Sequence, residues 1–371
     1  MHQGILCPHL LPRPRRDAGL RGPYGRAHPH PLGKLRACQG RPLARSRGRP
    51  RHRLPCPTSD FPPGNLPHPP HVTVADSLQP SPPENSIRHL ALGFFDGLHL
   101  GHRRVILGGD SPHDPSRTAV LTFRDHPLSV LHPEKHPALI TGLPHKLRIL
   151  ETWGIQRVVT LPFNATRALQ APEDFLGELE SAFPSLKTVS VGPNWRFGKN
   201  RSGDVRLLGQ WCAGRQILLD NPAPVLFTGE RISSSRIRSA IAAGRLDDTA
   251  AMLGRPFSLF GTVVPGDGRG TQLGFPTANL STSDECLPPV GVYAGKALLE
   301  NNTNHPCAIN IGFCPTFSGS KLSIETHLIG FSGNLVGNSM EIQILRWIRN
   351  ETKFENRQSL ADQIFKDIHS I

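Results

Sequence analysis

The rhythm of apolar and polar positions changes twice along the chain. Up to about residue 85 no period holds: Pro, Arg, His and Gly dominate, and apolar side chains never recur on one face. Such a stretch cannot bury enough apolar area to offset its ordering entropy, so it is expected to be unstructured. From about 86 to 252 short apolar runs alternate with segments of helical period. Residues 87–94, 116–123, 156–161, 186–191 and 216–219 read as strands, and 145–153, 172–182, 205–213 and 234–243 as helices. That alternation predicts a parallel sheet with helices on both faces, in which ligands bind outside the carboxyl ends of the strands. The segment Met252-Leu-Gly-Arg-Pro256 closes this domain, because Gly254 stops a helix and Pro256 prevents its resumption.

Beyond it the texture becomes short β runs separated by Gly, Pro and Asn. Residues 257–264, 291–298, 307–311, 322–329 and 339–348 predict a small closed or Greek-key barrel. One helix follows, with a capping box at Ser359 and Asp362 and an apolar stripe of Leu360, Ile364 and Ile368 expected to pack into the core. The expected class is α/β: a basic extension over 1–85, a parallel-sheet domain over 86–252, and an antiparallel β-barrel with a C-terminal helix over 253–371.

The net charge of +13 suggests a nucleic-acid partner until it is located. Residues 1–60 hold twelve Arg and Lys34 against Asp17 and Asp60, so the remainder carries only +2. A near-neutral body is not expected to bind nucleic acid. The basic extension itself reads as an unstructured tail or an upstream misread start, with a nucleic-acid arm or a targeting peptide as the alternative. Seven cysteines at 7, 38, 56, 212, 286, 307 and 314 include no C-x-x-C pair, which argues against a disulfide framework or a zinc site and fits a reducing compartment. No apolar run approaches the ~18–20 residues a bilayer span needs, and arginines interrupt the first thirty residues where a signal peptide needs an apolar region. The expected setting is cytoplasmic, with no membrane partner; oligomeric state is left open.

Candidate chemistry concentrates at Ala91-Leu-Gly-Phe-Phe-Asp-Gly-Leu-His-Leu-Gly-His-Arg-Arg-Val-Ile106. A strand, a turn at Asp96-Gly97 and a helix starting near Gly101 place His99 and His102 at a helix N-terminus, where unpaired N–H groups and the dipole favour phosphate. Histidine donors there can stabilise charge developing on a phosphoryl oxygen. Downstream lie Thr122-Phe-Arg-Asp-His-Pro127, Val191-Gly-Pro-Asn-Trp-Arg-Phe-Gly198 and Ile232-Ser-Ser-Ser-Arg-Ile-Arg238. In the last, serines cap a helix and arginines supply guanidinium donors. In the barrel, Gly261–Leu280 combines Gly266, Gly268 and Gly270 with Gly274-Phe-Pro-Thr-Ala-Asn279. Its glycines suit a phosphate cradle, and Thr277 and Asn279 are small oxygen ligands for Mg²⁺. Asn310-Ile-Gly-Phe-Cys-Pro-Thr-Phe317 and Ile324-Glu-Thr-His-Leu328 follow. Each piece alone also fits an ordinary loop, capped helix or surface strand.

Together, over about 86–371, these motifs resemble in order and spacing those of the bacterial bifunctional riboflavin kinase/FMN adenylyltransferase (FAD synthetase) family. The resemblance implies a Rossmann-like nucleotidyltransferase domain followed by a riboflavin kinase-like barrel, with riboflavin, FMN and ATP as substrates and Mg²⁺ as cofactor. It implies that His99 and His102 stabilise the adenylyl-transfer transition state, that Ser234, Ser235 and Arg238 hold ATP phosphates, and that Gly93, Phe95, Asp96 and Asn194 contact the nucleotide. In the barrel it implies Mg–ATP at Thr277 and Asn279, with Gly266 and Gly274 in the same loop, and Glu325 as general base. Departures occur at Arg124-Asp125, Cys314, Gly330 and Val336, and Ser235 replaces Thr. Alternatives are an enzyme retaining one activity, or a flavin- or nucleotide-binding regulator with a basic arm.

Overall fold

The structure is a computed structural model that describes residues 72–79, 87–109, 111–131, 133–266, 268–282, 284–316 and 319–371. The basic stretch through residue 71 lies outside these described residues. Six parallel strands form one sheet in the order Thr73–Ala75, Arg157–Leu161, Thr118–Phe123, His89–Leu92, Thr188–Val191, Leu218–Asp220. The central strands are buried on both faces, as their unbroken apolar runs require. The helices fall at Leu143–Thr152, Pro172–Ala182, Val205–Ala213 and Ser234–Ala242, within two residues of the predicted bounds. The edge strand Thr73–Ala75 corrects the expectation that everything before residue 86 is unstructured: three residues pair with Arg157–Val159. So short a run carries no periodicity of its own, and the neighbouring strand supplies its order.

Strand ends in this sheet hold a polar cluster. His89 is buried, its Nδ1 3.2 Å from Thr118 Oγ1 and its Nε2 2.7 Å from Ser190 Oγ, and its ring lies 3.6 Å from that of His113. Burial, with the neighbouring His113 adding to it, lowers its pKa to about 3. His99 is lowered to about 4, again chiefly by burial. The unfolded chain therefore takes protons below 6.5 that the folded chain refuses until about 4 and about 3. Stability is full above pH 6.5 and falls as the pH drops, by up to about 1.4 kcal/mol per pH unit for each histidine. Denaturant unfolding at pH 7 and pH 5 should show the loss, and His89→Val should reduce it; stability that is flat or rising toward pH 5 would contradict the assignment.

The second sheet is a closed six-stranded antiparallel barrel: Phe257–Val264, Ala278–Thr282, Gly319–Leu328, Asn304–Thr316, Gly291–Leu299, Ser339–Arg349. The strand Ala278–Thr282 was not among the predicted ones, because Pro276 and the small residues around it read as a turn. The C-terminal helix, Arg357–His369, is capped by Asn356, whose side chain accepts from Ser359 N. Ser359 is thus an interior first-turn residue and not the cap predicted from its spacing to Asp362. Its stripe is also not core: Leu360, Ile364 and Ile368 are half-buried.

The buried core does not break at residue 252. Ile237, Ala240, Ile241, Met252 and Leu253 pack in one cluster with Phe257, Leu259, Ile309 and Ile342 of the barrel. Polar contacts follow the same seam. Glu285 accepts from Gly142 N (2.8 Å), pairs with His145 Nδ1 (3.1 Å) and accepts from Phe260 N (3.2 Å). With every oxygen bonded, this buried pair offsets part of its desolvation cost and fixes the helix Leu143–Thr152 against the barrel. No helix among the described residues is long and apolar enough to cross a membrane.

Candidate active sites

The first site is built at the carboxyl end of His89–Leu92. The chain leaves the strand through a tight turn with positive φ at Phe95 (54°), Gly97 (86°) and Leu98 (42°), then enters the helix Leu100–Leu107. His99 caps that helix: its Nδ1 accepts from His102 N at 3.2 Å, and the two rings stack at 3.6 Å. Burial is the main cause that holds His102 well below the usual histidine pKa, with His99, Lys146, Arg255 and Arg231 adding to it. Both imidazoles are therefore neutral at physiological pH, and His102 Nδ1 is buried with no protein partner. They open onto a small cavity of about 150 Å³ that Gly192, Pro193, Pro222, Arg231 and Ser234 help to line.

Asp96 does not face this cavity. It is buried, its Oδ1 accepting from Ile140 N and Thr141 N and its Oδ2 from Arg238 Nη2 at 2.5 Å. Ser234 Oγ donates to Asp96 O at 2.9 Å. Phe95 is also buried, in the core beside Leu98 and Val105, and a Cβ on Gly93 would lie 2.8 Å from its ring. The resemblance implies nucleotide contacts for Gly93, Phe95 and Asp96; the Phe95 and Asp96 side chains face inward, so a ligand would meet this turn through its backbone. Lys146 Nζ reaches the same turn from the helix Leu143–Thr152, donating to Phe94 O at 2.6 Å, and burial lowers its pKa to about 8 against the raising effect of Asp96. Ser233 caps Ser234–Ala242, Ser235 is exposed, and Arg238 is committed to Asp96 and Ala138 O. Asn194 is exposed and outside the cavity wall. The departures Arg124 and Asp125 sit exposed at the end of Thr118–Phe123, leaving His126 edge-on to Phe94 at 4.7 Å.

The second site lies on the outer wall of the barrel. Along the ladder, Asn279 pairs with Glu325 and Glu325 with Asn310, which puts the three on one face. Ile324, Thr326 and Leu328 point the other way, into the core. A cavity of about 590 Å³ lies between this face and the C-terminal helix; Gly270, Thr277, Asn310, Glu325, Leu360 and Ile364 are among its walls. Arg349 bonds Asp367 from Nε at 2.9 Å and from Nη2 at 2.8 Å, and it ties the helix down over the opening. The side chains of Thr277, Asn279 and Glu325 carry oxygen donors, a chemistry that suits a hard divalent ion. Asn279 is half-buried, and its amide fills the space a Cβ on Gly266 would take, so Gly266 allows the loop to close on it. Gly274 has φ of 85° and is not part of the wall of this cavity. The side chain at Cys314 lies outside the described residues.

Two family models match the chain: one described as FAD synthetase over residues 81–236, and one described as riboflavin kinase over residues 253–371. The bifunctional riboflavin kinase/FMN adenylyltransferase of Escherichia coli K12 is 34% identical over 297 residues, covering 78% of this chain and 93% of that one. The chain belongs to the bifunctional riboflavin kinase/FMN adenylyltransferase family. The Bacillus subtilis protein of the same name is 33% identical over 307 residues, covering 80% and 95%. A solved structure described as a macrolide-efflux protein from Streptococcus pneumoniae aligns with TM-score 0.67 at 26% identity, covering 80% of this chain and 97% of that one. Within this member of the family the two sites fall in different matched segments, His99 and His102 in the first and Glu325 in the second. Sequence reasoning missed Lys146, Glu285, Arg349 and Asp367. Each lies outside a recognisable motif, and Lys146 and Glu285 act on partners far along the chain.

Proposed function

We propose that this chain makes FMN and FAD in sequence, using one ATP at each site. In the barrel, the 5′-hydroxyl of riboflavin attacks the γ-phosphorus of ATP and ADP leaves. Glu325 accepts the hydroxyl proton, while Thr277 and Asn279 hold Mg–ATP. A magnesium ion bound there neutralises charge on the phosphates. In the sheet domain, a phosphate oxygen of FMN attacks the α-phosphorus of a second ATP and pyrophosphate leaves. His99 and His102 donate N–H groups to the charged transition state, and Ser234, Ser235 and Arg238 restrain the leaving pyrophosphate. Arg238 must exchange part of its bond to Asp96 for phosphate in doing so. Neither step needs a covalent enzyme intermediate, since position and electrostatics suffice for phosphoryl transfer.

One observation carries the reading: Glu325 stands between Asn279 and Asn310 on the wall of a cavity large enough for a flavin, separate from the histidine pair. The free, buried or half-buried cysteines 212, 286 and 307 suit a reducing, cytoplasmic setting. Incubating purified chain with riboflavin, ATP and MgCl₂, then separating flavins by chromatography, should give FMN followed by FAD, and chelation of the metal should stop both. FMN without FAD would remove the adenylyltransferase assignment, and absence of both would remove the whole reading.

A further inference from the structure

The turn between the first catalytic strand and its helix is unusual in how its carbonyls are held. Phe94 O accepts from Lys146 Nζ and from Thr122 Oγ1 at 2.9 Å, and Asp96 O accepts from Ser234 Oγ. The next two carbonyls go to a residue from the join between the domains. Arg255 Nη2 donates to Gly97 O at 2.9 Å and Nη1 to Leu98 O at 3.0 Å. These are the last peptide groups before His99. Leu98 has φ of 42°, a conformation an ordinary side chain keeps only where its surroundings impose it.

Arg255 is half-buried, with its Nε buried and without a partner. No carboxylate lies within ion-pair distance of it among the described residues, and burial lowers its pKa to about 10 against the raising effect of Glu341. Its hydrogen bonds go only to backbone carbonyls, so it is held here by the turn and not by an ion pair. What it provides is a planar two-pronged donor that a lysine cannot copy. The chain on either side is fitted to the same place. Gly254 has φ of 73° and packs so closely on Leu100, the first residue of the histidine helix, that a Cβ there would overlap it. Pro256 follows, and the barrel begins at Phe257.

We propose that Arg255 is a positioning residue for adenylyl transfer: by holding the Gly97 and Leu98 carbonyls it sets the pose of His99 and His102 over the reacting phosphate. The inference rests on the adenylyltransferase reading above. Arg255 does not line the cavity, so it acts through the turn and not on substrate.

The test uses the full chain with Arg255→Met and Arg255→Lys, following FAD formation from supplied FMN and FMN formation from riboflavin in parallel. For Arg255→Met, kcat for FAD formation should fall by roughly ten- to a hundredfold, the size of loss that follows a small misplacement of catalytic groups. KM for ATP and FMN should stay within about threefold, because binding groups are untouched. The riboflavin kinase rate should stay within about twofold, and Arg255→Lys, which keeps one donor, should recover part of kcat. Unchanged kcat in Arg255→Met, or equal loss of both activities, would overturn the proposal. Failure of both variants to fold would overturn it too, since Arg255 would then be a requirement of the fold alone. If the unmodified chain made no FAD, the adenylyltransferase reading itself would fail, which is a distinguishable result.

Discussion

Glu325→Gln is expected to lower FMN formation from riboflavin by roughly 10²–10⁴-fold, the contribution of a well-placed general base. The amide keeps the shape and the hydrogen-bonding reach of the side chain but cannot take a proton. Its neighbours in the ladder, Asn279 and Asn310, are themselves amides and cannot substitute for it. Because Glu325 stands on the outer face of the barrel, half-buried and away from the core positions Ile324 and Thr326, the change should leave the barrel folded. FAD formation from supplied FMN should continue at an unaltered rate, since the histidine pair lies in the other matched segment. Parallel assays of the two half-reactions, with a thermal melt as the control for folding, decide the matter. A kinase rate within about threefold of the parent would remove Glu325 from the base role.

His102→Ala should produce the opposite pattern. FAD formation from FMN is expected to drop by roughly 10²–10³-fold, as on loss of one preorganised donor to a developing oxyanion. The pair is held for this task. His99 is fixed by accepting from His102 N, and the His102 ring is stacked on it at 3.6 Å. Both rings are neutral, so they can donate a proton in a hydrogen bond without holding a permanent charge that would retain pyrophosphate. The unpartnered His102 Nδ1 is the atom left over for a ligand or for the network around it. Alanine is a good helix former, so the helix Leu100–Leu107 should survive. If His102→Ala lost riboflavin phosphorylation as well, in a protein that still melts cooperatively, the separation of the two sites would be wrong.

Candidate residues for both sites could be named from the sequence. Residues 99, 102, 234, 277 and 325 stand in short motifs whose signals are local: a helix N-terminus, serines ahead of a helix, a carboxylate in a β run. The structure adds contacts for several others that their motifs do not show. Asp96 and Phe95 belong to recognisable motifs but face inward, one bonding a loop from residues 138–141 and the other packing beside Val105. Arg238, read as a phosphate ligand, is already bonded to Asp96, so any phosphate must compete with that carboxylate. The stripe Leu360, Ile364 and Ile368 has the period of a core helix, yet two of its members wall a cavity. Periodicity reports which face is apolar, not whether protein or ligand covers it.

The sequence by itself determined the α/β class, the order of sheet and barrel, the bounds of four helices to within two residues and the family, because each depends on neighbours a few residues apart. Only the tertiary structure decided that the barrel's core cluster continues into the helices before residue 252, that Glu285 and His145 lock the seam, and that Arg255 holds the turn ahead of His99. The Glu285 and Arg255 contacts join residues more than a hundred apart, and their partners are often backbone carbonyls or amides, which every residue carries. No local pattern can record which of them a distant side chain will meet once the chain has closed.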